Sequence, residues 1–248
     1  MDDPDLWLAT KLVELAEGVD VGRTEREWSA QLTGSLSELL APAEIGLMLA
    51  DPAGRLTAAA ASSRQARELV AFESEHQEGP CTDCAAKARP VLNEDVGAAA
   101  ARRPGYARAA RAAGFGVVSA LPMTRPTVTV GVVGVFSPGA QQLSPEDANR
   151  VQILARAAAA AISTQREIQL SAAAVRQLQQ ALDSRVLIEQ AKGAIATRLG
   201  ITPDAAFGLL RAFARRNSRL LADVAGQTIT GELPVQELLA LRQSAGLP

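Results

Sequence analysis

Two cysteines, Cys81 and Cys84, follow a Gly-Pro turn in the segment Glu78-Gly79-Pro80-Cys81-Thr82-Asp83-Cys84. Cys-x-x-Cys spacing on a helix brings two sulfurs onto adjacent turns, and a helix N-terminus lowers a thiol's pKa toward the reactive thiolate. Three readings stay open: small residues packing behind a tight turn, a reversible redox switch, or zinc. Zinc lacks a second cysteine pair, and His76 is the chain's sole histidine. Haem held by His76 or Cys81 lacks a second axial candidate. No metal or cofactor is expected, and Glu78, Cys81 and Cys84 are the candidate redox or ligand-pocket residues.

A second group of reactive types is cationic. From Arg176 to Arg219 the bases are Arg176, Arg185, Lys192, Arg198, Arg211, Arg215, Arg216 and Arg219. The acids are Asp183, Glu189 and Asp204, so this stretch carries eight bases against three acids, +5 in a chain of net charge −2. A polyanion suits such a patch, because phosphate neutralisation releases counterions. The same charges also suit a solvated helix face.

These residues need elements to hold them. The chain has 248 residues, 48% of them hydrophobic and 3% aromatic, which is ample for a buried core and argues against global disorder. No apolar run reaches the ~18 residues of a membrane span. The start, Met1-Asp2-Asp3-Pro4-Asp5, is acidic where a secretory signal is basic. Two cysteines make no disulfide framework. A soluble cytoplasmic protein without membrane partners is expected.

Residues 1–22 read as an extension. From Arg23 to Leu40 the residues Trp28, Leu32, Leu36, Leu39 and Leu40 recur at helical spacing. A hairpin follows: the run Ile45–Leu49, the turn Asp51-Pro52-Ala53-Gly54, and a return strand from Arg55. Ser62 or Ser63 caps a helix predicted to end near Phe72, with a polar loop from Glu73 to Pro80. Strands are predicted at Val91–Asn93, Val117–Leu121 and Val128–Phe136. Strands with segregated helices give an α+β sheet domain over residues 23–165.

Ser144-Pro145-Glu146-Asp147 combines a cap, a first-turn proline and first-turn acids. From Glu146 to Lys192 there is neither Gly nor Pro. One helix of that span is about 70 Å long at ~1.5 Å per residue. Its middle needs a partner, and Ile168, Val175, Leu178 and Leu182 supply a coiled-coil seam that Arg185 interrupts. A connecting helix over 145–190 and a homodimer through it are expected; two helices meeting near Thr164 to Arg166 are the alternative. Beyond the stop at Leu199-Gly200, Thr202-Pro203-Asp204 starts a helix to about Arg216. Asn217-Ser218 is read as the cap of a third, carrying Leu221, Val224, Ala225 and Thr228-Ile229. Three such helices make a small bundle. Residues 234–248, with a short helix at Val235–Arg242, read as a tail.

At this point two resemblances emerge. Arg185-Val186-Leu187-Ile188-Glu189-Gln190-Ala191-Lys192-Gly193, then Ala205-Ala206-Phe207, Leu210-Arg211, Asn217 and Leu221-Ala222-Asp223-Val224-Ala225 resemble an ANTAR domain over residues 178–233. The resemblance implies an all-α three-helix bundle that binds RNA stem-loops in nascent bacterial transcripts and blocks terminator hairpins. By position, Ala191, Lys192 and Gly193 carry the family motif; Arg198, Arg211, Arg215, Arg216 and Arg219 are added on charge. Phe207 and Phe213 are read either as base-stacking or as core residues. Many family members have a base where Ala222 stands. The element order of residues 23–165 and the Glu78-Gly79-Pro80-Cys81 turn resemble a GAF domain, with Pro126-Thr127, Gly131-Val132 and the Ser144 helix start fitting the same pattern. That implies an antiparallel sheet flanked by helices, sensing a small ligand or a redox signal. A signal-responsive, non-enzymatic antitermination regulator is therefore expected. Its alternatives are a cysteine enzyme reducing free methionine sulfoxide, with Cys81 and Cys84 as nucleophile and resolver, and a DNA-binding helix-turn-helix regulator.

Overall fold

The computed structural model describes residues 4–20, 22–126 and 128–245. Met1–Asp3, and Thr127 of the predicted Pro126-Thr127 loop, lie outside the described residues. The chain divides after Ile168 into two compact units.

In the first unit, α1 (Pro4–Asp20) precedes α2 (Glu25–Leu40). Thr24 and Glu27 form a reciprocal capping box that satisfies orphan N–H groups at the start of α2. Trp28, Leu32, Leu36 and Leu40 recur every fourth residue and are buried on one face of α2. Then come β1 (Glu44–Ala50) and β2 (Leu56–Ala61). Asp51 Oδ1 accepts from the N–H groups of Ala53 and Arg55, which fixes the hairpin turn between these strands. After α3 (Arg64–His76), α4 (Pro80–Lys87), β3 (Val91–Asp95), α5 (Val96–Ala99) and α6 (Pro104–Ala112), the hairpin β4 (Phe115–Arg125) and β5 (Val128–Pro138) completes the sheet. The strand order is β2-β1-β5-β4-β3, with every pairing antiparallel.

Alternation along the strands builds two cores, since successive side chains point to opposite faces. Ile45, Leu47, Leu49, Leu121, Val133 and Val135 pack with α2 and the start of α7 (Pro145–Leu199). Met48, Val118, Ala120, Val132 and Phe136 pack with α3, α4 and α6. Residues 1–22, expected as an extension, contribute α1 to the first core: Leu15 is buried there, and Trp7, Leu8 and Leu12 pack beside it. Ser144 caps α7 as expected, its hydroxyl accepting from the Asp147 N–H at 3.0 Å.

Helix α3 extends past its expected end at Phe72. Glu73 to His76 are helical, so the loop before Pro80 shrinks to Gln77–Gly79. The added turn carries Glu73 inward, and burial outweighs the local polarity that marked the segment as a loop.

Helix α7 runs unbroken through 55 residues and through Gly193, starting in the first unit and finishing in the second. The alternative of two helices meeting at Thr164 to Arg166 is not what forms. At that point Arg166 donates to both oxygens of Glu25 on α2, at 2.6 and 3.1 Å, and to the Ala50 carbonyl at the end of β1.

The second unit contains the end of α7, α8 (Pro203–Arg216), α9 (Leu221–Thr230) and α10 (Val235–Ala245). Thr202 caps α8 as expected, accepting from the Ala205 N–H. Asn217 does not cap α9: its amide donates back to the Phe213 carbonyl, closing α8, and the N-cap of α9 is Leu220, which offers no side-chain cap. Thr228 is buried but Ile229 faces solvent. The expected tail forms α10, and Leu233, Val235 and Leu238 are buried with Leu209, Leu210 and Val224. The short helix expected at Val235–Arg242 thus forms, runs on to Ala245 and belongs to the bundle, whose three short stripes leave an apolar edge that it covers. Residues 246–248 of that tail lie outside the described residues.

Candidate functional site

The Gly79-Pro80-Cys81 turn is organised by Glu73, an acid expected in a polar loop. Gly79 has no side chain to cap α4, and Glu73 takes that task from the last turn of α3. Its Oε2 accepts from the N–H groups of Cys81 at 2.9 Å and Thr82 at 3.3 Å. A Cβ on Gly79 would lie 2.1 Å from a Glu73 oxygen, so the glycine makes way for the carboxylate. On the sheet beneath, Gly46 and Gly134 pair across β1 and β5, and a Cβ on either would meet the Phe136 ring at 2.7 Å. A Cβ on Gly134 would also lie 3.2 Å from the Cys81 sulfur. The signal for Glu73 was faint: one acid at the buried spacing of Ala66, Leu69 and Val70 on α3.

Glu73 is fully enclosed, and burial raises its carboxyl from 4.5 to about 7, against the lowering effect of the Cys81 and Thr82 hydrogen bonds and of Arg103. Burial, then the neighbouring Glu73 charge, also raises the Cys81 thiol, and burial pushes Cys84 up to about 12. The expected thiolate-favouring effect of the helix N-terminus is therefore reversed, because desolvation and a carboxylate oppose it. Cys81 and Cys84 are free thiols, both buried. Glu78 is only half-buried, and the acid at Cys81 is Glu73. Arg103 is buried beside the group and pairs with Glu94 at 2.7 Å and with Asp83 at 3.6 Å. Tyr106 Oη, Thr82 Oγ1, Glu73 Oε1 and Arg103 Nη1 are buried without a hydrogen-bond partner among the described residues. Beside this closed group, Ala50, Leu56, Gln77, Thr82 and Ala85 line an open cleft of about 380 Å³. Among the described residues, no cluster of acids, histidine and cysteines fit to hold a metal occurs.

The cationic residues of the second unit sort by exposure. Phe207, Arg211 and Arg215 recur every fourth residue on α8 and share its outer face, with Arg211 and Arg215 exposed. Lys192 joins this stripe: its ammonium lies 5.6 Å from the Phe207 ring centre and donates to both Glu189 oxygens. One face of Phe207 thus carries the lysine. Phe213 is buried in the bundle core. Arg198 and Arg216 are exposed at the ends of α7 and α8, while Arg219 donates to Gln227 of α9. Ala191 requires correction as an RNA-contact residue: it is completely buried and packs with Ile195 in the bundle core. Gly193 is exposed, and a Cβ there would meet nothing. Packing does not require a glycine in that helix.

Compared with known families, residues 22–163, more than half of the chain, match the GAF domain. The chain belongs to the GAF domain family. Residues 176–229 match the ANTAR domain, which makes this a GAF–ANTAR regulator. No curated protein matches it. In structure it is similar to the GAF domain of a phosphoenolpyruvate-protein phosphotransferase from Coxiella burnetii, at 15% identity and a TM-score of 0.51, over 68% of this chain and 99% of that one. It is also similar to the GAF domain of the Acinetobacter phosphoenolpyruvate-protein phosphotransferase, at 11% identity and 0.48, over 64% and 95% of the two chains. The reduced fRMsr of Staphylococcus aureus is similar at 12% identity and 0.47, over 62% and 94%. These likenesses concern the fold. Among the described residues of this GAF–ANTAR regulator, no helix is long and apolar enough to cross a membrane.

Proposed function

We propose that this GAF–ANTAR protein is a signal-responsive, non-enzymatic regulator whose ANTAR domain binds RNA stem-loops in nascent transcripts and promotes antitermination. The observation that carries the reading is the outer stripe of α8, where Arg211 and Arg215 stand exposed in line with Phe207 and Lys192. Cations at one-turn intervals beside an aromatic suit a folded RNA, where phosphates flank loop bases. Gly193 adds a point where a backbone can come close, at a cost in helix propensity of about 1 kcal/mol.

The GAF domain supplies the input. The cleft beside Thr82 suits a small ligand, and Ala50 on its rim accepts from Arg166 of α7. A ligand that prefers one position of Ala50 thereby biases the helix that runs on into the ANTAR domain. Ile168, Val175, Leu178 and Leu182 are 49–66% exposed, so a second copy of the chain is the fitting partner for the seam they form. The buried, proton-retaining Cys81 weighs against a cysteine enzyme.

The test is titration of the full protein with RNA hairpins and with duplex DNA across salt concentrations. Lys192→Ala combined with Arg215→Ala is expected to weaken hairpin binding about tenfold or more and to lower the salt slope by about two. Preference for the duplex, or unchanged hairpin affinity in the double variant, rejects the reading. Sedimentation at micromolar concentration is expected to give a dimer, and a monomer there removes the seam.

A further inference from the structure

Lys192 differs from the other bases of its face. Arg198, Arg211, Arg215 and Arg216 form no ion pair among the described residues, whereas the Lys192 ammonium donates to both Glu189 oxygens, at 3.0 and 2.9 Å. The pair is asymmetric: the Lys192 side chain is 16% exposed and that of Glu189 57%. The lysine lies along the Phe207 ring, while the carboxylate stands in water on the preceding turn of α7.

We propose that Glu189 is an affinity-setting residue of the ANTAR domain, a built-in anion that occupies Lys192 until an RNA phosphate displaces it. The inference rests on the RNA-binding reading above. A carboxylate and a phosphate are both acceptors for an ammonium, and a carboxylate left beside an incoming phosphate repels it. Occupation of Lys192 by Glu189 and by RNA is thus competitive. Phe207 keeps the ammonium in place during the exchange, because a cation on an aromatic face does not depend on the carboxylate. Glu189 meanwhile releases into solvent at little cost, as an exposed pair one turn apart is weak. Isolated small anions gain little from displacing it. A ligand that also engages Arg211 and Arg215 gains more. The device raises the threshold for weak anions and spares the folded polyanion.

The probe is an RNA hairpin selected from a pool with randomised loops, using wild type and Glu189→Gln in parallel selections. It is titrated against the full-length wild type, Glu189→Gln, Lys192→Ala and the double variant. Glu189→Gln is expected to bind about twofold more tightly than wild type. In the Lys192→Ala background the same change is expected to bring a clearly smaller gain, since only the repulsion of phosphate by the carboxylate is then relieved. A Glu189→Gln protein that binds no more tightly, or a gain undiminished without Lys192, overturns the assignment and leaves RNA binding intact. If no hairpin binds either wild type or Glu189→Gln, the RNA-binding reading falls and this inference with it.

Discussion

In the GAF domain, the acid that organises the Cys81 turn is enclosed, and Arg103 and Glu94 form a pair in which neither side chain is more than 10% exposed. In the ANTAR domain, Arg198, Arg211, Arg215 and Arg216 stand in solvent and form no ion pair among the described residues. Glu73 is spent on two N–H groups of α4, and removing it would strand both in the interior. The arginines satisfy nothing in their own fold. Comparing the two separates charge that builds the domain from charge left over for a partner, a distinction that composition alone cannot make. The buried cysteines fall with the first kind. Lys192 lies between them, partly covered, partly paired and still on the outer stripe.

The sharpest way to break the comparison is at Glu73. Glu73→Ala strands the N–H groups of Cys81 and Thr82 and leaves a cavity, so a loss of roughly 3 kcal/mol is expected in chemical denaturation. A loss under about 1 kcal/mol would mean that Glu73 is not the cap of α4.

A smaller effect comes from its ionisation. The folded-state value is raised, from 4.5 to about 7, so between these limits the folded protein holds a proton that the unfolded chain has released. The Glu73 contribution is therefore most favourable below about pH 4.5 and is lost as pH rises through 7. Glu73→Gln keeps an acceptor for the cap and removes the titration. Denaturant midpoints measured against pH are expected to fall less steeply in this variant than in wild type over that window. Parallel profiles would place the proton elsewhere.

The smallest expected change sharpens the other side. Gly193→Ala fills open space on an exposed helix face and is expected to stabilise the ANTAR domain by about 1 kcal/mol. Hairpin affinity is expected to drop in the same variant. Higher stability with undiminished affinity would show that RNA does not approach the backbone at Gly193.

Local signals carried much of this organisation into the sequence. The Thr202 and Ser144 caps, the Asp51 turn and the four-residue rhythm of Trp28, Leu32, Leu36 and Leu40 all act within one helical turn or one hairpin. Neighbouring residues suffice for them, so they could be read directly, as could the unbroken run that became α7. The surplus of bases between Arg176 and Arg219 was equally visible.

What lay beyond reach depends on which surfaces meet. Glu73 looked like a loop acid because nothing nearby announces that α4, whose cap position is a glycine, needs a carboxylate from another helix. Ala191 and Phe207 differ in no local feature that says which is core. The approach of α8 to α7 buries the first and leaves the second half-covered under Lys192. The helix α10 likewise counts as a tail until the bundle offers it an apolar edge. The residues determine which elements form, through short-range hydrogen bonds and periodicity. Packing then decides which polar groups lose water, and with it which charges serve the fold and which remain for a ligand.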